Sequence, residues 1–174
     1  MINELRSTEA IYTYHVMTVN DLRLHYVMTG QGYPVVLLHG WPQTWYAWHQ
    51  VIPALSKHYT VIAPDLRGLA DSEKPATGYD KRTVTDDIYQ LVHQLGFQQI
   101  FLVGHDMGGL VGYTYAANHR EEVRRFVFIE SLIPGVGDPN NKLTQNPEKK
   151  EGGIDTQALD LLSRVCLLHK PEMI

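Results

Sequence analysis

Apolar residues fall in short runs divided by polar, glycine-bearing stretches, and the runs are of two kinds. Tyr14 to Val19 and Leu22 to Thr29 flank the turn-like pair Asn20-Asp21, an arrangement that predicts a hairpin. Pro34 to Leu38 and Tyr59 to Ala63 are apolar without alternation, as strands buried on both faces read. Ile100 to Val103 reads the same way, and so does Val123 to Glu130 around its centre Phe126 to Ile129. Between these lie stretches of helical period. Trp45 to Lys57 carries Trp48, Val51, Ile52 and Leu55 on one face, with Pro53 inside it. Thr83 and Asp86 have capping-box spacing before a helix that runs to Leu95 and stops at Gly96. Gly109 to Asn118 is a third helix. Short apolar strands alternating with helices make βαβ units, because parallel strands need long crossovers. The expected fold class is therefore α/β, a mostly parallel sheet flanked by helices.

The pattern changes near residue 136. Val136 to Gly153 is rich in Asn, Lys, Pro and Gly, has no aromatic residue, and reads as a polar linker. In Ile154 to Lys170 the residues Ala158, Leu161, Leu162, Val165 and Leu168 fall at helical spacing, so residues 154–174 are expected to hold one amphipathic helix ended by Pro171. The expected organisation is a core over 1–135, a linker over 136–153, and that helix.

Charge and composition narrow the function classes. Fifteen basic against nineteen acidic residues leave a net charge of −4, which argues against a nucleic-acid partner, since phosphate binding needs a basic face. The polar first ten residues do not read as a signal peptide, and Val35 to Leu38 is far too short an aliphatic run to span a bilayer. One cysteine, Cys166, allows no internal disulfide. The expectation is a cytoplasmic protein without a membrane partner.

Candidate chemistry sits at two strand ends. Residues Ile100 to Gly109 read IFLVGHDMGG, a strand running into Gly104-His105-Asp106-Met107-Gly108 and then a helix. This is the small-x-nucleophile-x-small pattern of a nucleophile elbow, with Asp in place of the commoner Ser. Such a turn strains the nucleophile's backbone, so its neighbours must be small, and the helix N-terminus favours a carboxylate. The competing reading makes Asp106 a plain helix N-cap. Upstream, PVVLLHGWP ends a strand at His39-Gly40-Trp41-Pro42. A main-chain N–H there can aim at the same point as the N–H after the nucleophile, so Trp41 and Met107 are the expected oxyanion-hole donors. His39, Trp41 and Met107 are expected to line the substrate pocket. His105 is assigned to packing or support, and Asp65 with Arg67-Gly68 to loop structure beside the site.

Three stretches together resemble the epoxide hydrolase and haloalkane dehalogenase branch of the α/β-hydrolases: HGWPQTWYAWHQVIPALSKHYTVIAPDLRGLADSEKP, GYDKRTVTDDI and LVGHDMGG. They occur in the family's order and spacing between about Tyr14 and Gly135. The resemblance implies two steps without cofactor or metal. Asp106 attacks carbon of a small apolar epoxide or alkyl halide to form an ester, and a His-activated water hydrolyses it. It also implies Glu130, at the end of the sixth strand, as the acid that orients the His. Met107 departs from the dehalogenases, which resemble this pattern with a Trp there to bind halide. It is not the Arg by which fluoroacetate dehalogenases hold a carboxylate.

The family continues past its sixth strand with a cap, two more strands and the His base. No strand is expected here after Glu130, and His169 reads as a helix C-terminal cation. The chain is thus expected to be an α/β-hydrolase core truncated after strand six, an epoxide-hydrolase-type protein lacking its base, with turnover in doubt. The alternatives are a haloalkane dehalogenase relative and a non-catalytic remnant that binds a ligand or partner. Without a seventh strand, Val123 to Glu130 becomes an exposed edge and invites a homodimer.

Overall fold

The structure, a computed structural model, describes residues 12–131 and the backbone of residues 165–168. The strands are β1 (Thr13–Val19), β2 (Leu22–Thr29), β3 (Tyr33–Leu38), β4 (Tyr59–Pro64), β5 (Ile100–His105), β6 (Val123–Ile129) and β7 (Val165–Leu168). They form one mixed sheet in the order β1-β2-β4-β3-β5-β6-β7. β1, β2 and β4 pair antiparallel, and every pair from β4 across to β7 is parallel. The hairpin forms where expected: Asn20 and Asp21 both take positive φ, 48° and 58°, the pairing a two-residue turn of primed type needs.

The unbroken apolar runs have a simple cause. Along β3 the side chains alternate between faces, and both faces are covered. Val36 and Leu38 pack with Leu102 and Phe126 under α2 (Lys81–Gln94) and α3 (Met107–Asn118). Val35 and Leu37 pack with Trp45, Trp48 and Ile52 on the opposite side.

Three expectations change. The helix over Trp45 to Lys57 breaks into a 3-10 turn, Trp45–Trp48, and a single helical turn α1 (Ile52–Leu55), with Pro53 in its first turn. Proline has no N–H and its ring clashes with the carbonyl four residues back, so a helix through this point must restart. α2 begins before Thr83 because Asp80 is the cap: its Oδ1 accepts from the N–H groups of Arg82 and Thr83, each at 3.1 Å. Thr83 instead donates its hydroxyl to Asp80 Oδ2 at 2.7 Å, and these bonds hold the Asp80 carboxyl below its ordinary pKa.

The third change is at β7. Val165–Leu168 is a strand within the stretch expected to be helical, and it pairs parallel with β6 from Phe126↔Val165 to Ile129↔Leu168. β6 is therefore not an edge, the sheet does not stop at six strands, and the edge-to-edge dimer loses its basis. The cause is the one that made an open edge costly: backbone donors and acceptors flanked by apolar side chains need partners. The linker over 136–153, the rest of the expected helix and His169 lie outside the described residues. Among the described residues no helix is long and apolar enough to cross a membrane.

Candidate active site

Asp106 joins β5 to α3 with φ 50° and ψ −119°, a strained conformation for a residue with a Cβ. The backbone around it fixes that turn. Its N–H donates to Ile129 O at 3.1 Å, and its carbonyl accepts from Gly109 N–H at 2.9 Å. Gly104 and Gly108 make the turn possible: a Cβ on Gly104 would fall 2.7 Å from Gly109 Cα, and one on Gly108 would fall 2.6 Å from His39 O.

Asp106 occupies the N-cap position of α3, yet its side chain caps nothing. The carboxylate turns across the sheet end instead, and Oδ2 accepts the N–H of Trp41 at 2.8 Å. That observation decides against the plain N-cap reading. Met107 is the first residue of α3, a position whose N–H has no acceptor within the helix. Gly40 is pressed against the site, since a Cβ there would lie 2.7 Å from Asp106 Cβ and 2.8 Å from Oδ2. The Trp41–Pro42 peptide is cis, and Gln43 N–H closes the turn onto Gly40 O at 2.9 Å.

Trp41 is 63% exposed and Met107 43%, and both wall a cavity of about 290 Å³ together with Leu66, Leu69, Leu110 and Val111. His39 does not join them. It is fully buried, Nε2 accepts Leu66 N–H at 3.0 Å, and Nδ1 therefore carries the proton that it donates to Gly40 O at 2.9 Å. Burial pushes its pKa below the ordinary value. With both ring nitrogens committed to backbone, His39 braces the loop after β4 against the loop after β3, and its expected place on the pocket wall is wrong.

Glu130 follows β6 with φ 43° and a side chain 43% exposed. Its Oε2 stands 3.8 Å from His105 Nε2, so its nearest ionisable partner among the described residues is the histidine preceding Asp106. The other end of that ring, Nδ1, meets Gln43 Oε1 at 3.1 Å. Asp65 is a buried bracket for the loop after β4. Its carboxylate accepts from Trp45 N–H and binds His25 Nδ1, both at 2.7 Å. Arg67 in that loop is held by Asp87 of α2 through two bonds of 2.7 and 2.8 Å. His25, Asp65 and Asp71 offer ligand atoms within 4.8 Å of one another, but the bonds just named already occupy His25 Nδ1 and both Asp65 oxygens. The Gln43–His105 and Arg67–Asp87 contacts carried no signal in the sequence, because residues far apart meet through the fold.

The family model described as the alpha/beta hydrolase fold matches residues 33–168. The chain belongs to the α/β-hydrolase family. A soluble epoxide hydrolase of Corynebacterium sp. (strain C12) is 55% identical over 124 residues, covering 71% of this chain and 43% of that protein. A fluoroacetate dehalogenase of Burkholderia sp. is 36% identical over 124 residues, 68% of this chain and 40% of that protein. The solved structure of the epoxide hydrolase CorEH without ligand superposes with a TM-score of 0.71 at 48% identity, covering 77% of this chain and 48% of that one. The chain spans about two fifths of the length of the curated relatives it matches.

Proposed function

We propose that the site performs the attacking half of epoxide hydrolysis, with Asp106 as nucleophile. The observation that carries this is the carboxylate of a strained residue, capping nothing and holding the Trp41 N–H at 2.8 Å through Oδ2. With Oδ2 so held, Oδ1 is free to attack. A bond forms from Oδ1 to an epoxide carbon, the ring C–O bond breaks, and the alkoxide takes a proton from a donor acid or water. Water then adds to the ester carbonyl carbon of Asp106. The negative charge develops on Oδ2, between the N–H groups of Trp41 and Met107, so the hole is preorganised before substrate arrives. Collapse releases a vicinal diol and restores the carboxylate.

The apolar cavity beside Trp41 and Met107 suits a small apolar substituent. Alkyl halides rank second: the same attack would expel halide, but Met107 offers a thioether and no side-chain N–H to receive it. Glu130 is assigned to orienting histidine. No cofactor enters the scheme, and a cytoplasmic setting, which the single Cys166 suits, belongs to the same reading.

The test is incubation with styrene oxide followed by peptide mass spectrometry. One adduct on the peptide holding Asp106 is expected, absent in Asp106→Ala. A label that persists in Asp106→Ala would sink the assignment.

A further inference from the structure

We infer that His105 is a positioning residue for the oxyanion loop, acting through Gln43; this rests on the reading of Asp106 as nucleophile. Gln43 grips Gly40 from both sides. Its side-chain Oε1 accepts the Gly40 N–H at 2.9 Å, and its own backbone N–H donates to Gly40 O at 2.9 Å. Because the Gly40 N–H needs an acceptor, the carboxamide oxygen points at it, and the amide cannot be turned round. That oxygen also lies 3.1 Å from His105 Nδ1, which must then be the protonated nitrogen. The other ring nitrogen, Nε2, lies 3.8 Å from Glu130 Oε2, beyond hydrogen-bond distance, so the ring is held through Nδ1.

The consequence lies one residue further along each strand end. Gly40 precedes Trp41, whose N–H meets the Asp106 carboxylate at 2.8 Å. His105 precedes Asp106. Two chain segments separated by 62 residues at Gln43 and His105, and by 65 at Trp41 and Asp106, are thus joined twice, one join beside the other. The fit is tight, since a Cβ on Gly40 would lie 2.8 Å from Asp106 Oδ2 and 3.1 Å from His105 Nδ1. A side-chain bridge of this kind fixes the direction of a backbone donor that no side chain can itself aim. In the attack step that donor acts by orienting the carboxylate so that Oδ1 faces the carbon, and misplacing a reacting group by about 1 Å costs roughly 10² in rate.

The experiment follows the rate of styrene oxide labelling by intact mass in wild type, His105→Phe, Gln43→Leu, the double variant and His105→Asn. Each variant is first checked for a cooperative melt. His105→Phe and Gln43→Leu should each label about tenfold more slowly or worse, and the double variant no more slowly than the worse single one, as for partners in one bridge. His105→Asn, which keeps an N–H near the Nδ1 position, should recover to within about threefold of wild type. Nitrogen-15 spectra of the histidine rings provide a second reading independent of chemistry. His105 should carry its proton on Nδ1, and this signature should change in Gln43→Leu. Wild-type labelling by His105→Phe, an Asn variant as slow as Phe, multiplying effects, or a proton on Nε2 alone would each overturn the inference. A wild type that does not label counts against the proposed function instead, and the ring spectra still decide whether the bridge exists.

Discussion

His39 illustrates how far a residue's identity constrains its role. A histidine at a strand end beside the expected active site reads as a pocket residue, but its two ring nitrogens are used up on Leu66 N–H and Gly40 O, and it is fully buried. Burial lowers its pKa, so the folded chain keeps it neutral at a pH where the unfolded chain has begun to protonate it. The sign follows from linkage. Between the unfolded value, about 6.5, and the depressed folded value, the unfolded state binds more protons, so stability falls as pH falls, by at most about 1.4 kcal/mol per unit. Urea midpoints measured from pH 7 down to pH 5 should show this loss, and His39→Leu should have a shallower slope in the same range. That variant should also be less stable at pH 7 by about 1–3 kcal/mol, because the Leu66 N–H is left buried without an acceptor. A slope unchanged by the substitution would assign the acid sensitivity to other groups. Asp106 is the contrasting residue: its place at a strained turn between β5 and α3 was legible in the sequence from its small neighbours. The bond that decides its orientation comes from a residue 65 positions away and could not be read there.

At the scale of elements, legibility followed burial. β3, β4, β5 and β6 were readable because strands covered on both faces are apolar without alternation, and the turn at Asp106 was readable because only small residues fit beside it. Element ends were less so. Asp80 outcompeted Thr83 as the cap of α2, since it accepts two backbone N–H groups at once. Pro53 divided a stretch whose apolar spacing suited one helix. Val165–Leu168 was the sharpest failure: four consecutive apolar residues fit either period, and only the unpaired edge of β6 decides between them. The loop after β4 was recognised as lying beside the site, but not what holds it. Arg67 and Asp87, both nearly buried, tie that loop to α2, and Asn20 from the hairpin adds a bond of 3.1 Å to the same carboxylate. Asp87→Ala should therefore strand a buried guanidinium and cost about 3–5 kcal/mol in chemical denaturation. It should also disturb the cavity wall at Leu66 and Leu69, slowing styrene oxide labelling of Asp106 in molecules that remain folded. A loss below about 1 kcal/mol, the range of an exposed pair, would mean that water reaches Arg67.

At the scale of the whole molecule, the two half-reactions of the proposed scheme make separate demands. Attack needs a carboxylate with one oxygen free, the role proposed for Asp106. Ester hydrolysis needs a base that can reach a water beside the Asp106 carbonyl, which typically contributes about 10²–10⁴ in rate. Of the two histidines nearest the site, His39 has both nitrogens on backbone, while His105 gives Nδ1 to Gln43 and leaves Nε2 3.8 Å from Glu130. The chain has nine histidines, and His169 is the one outside the described residues. If the described residues are the whole of the chemistry, the ester should outlive its formation. Intact mass after mixing with excess styrene oxide should rise by one substrate and stay there, with about one equivalent of epoxide consumed per chain. Sustained diol release at about 1 s⁻¹ or faster, an ordinary enzymatic rate, would show that a base is delivered from elsewhere. His169→Ala then decides its origin. If the substitution stops turnover but leaves labelling of Asp106 intact, that histidine activates the water; if turnover survives, the base is not a histidine outside the described fold, and the Glu130–His105 pair becomes the place to look.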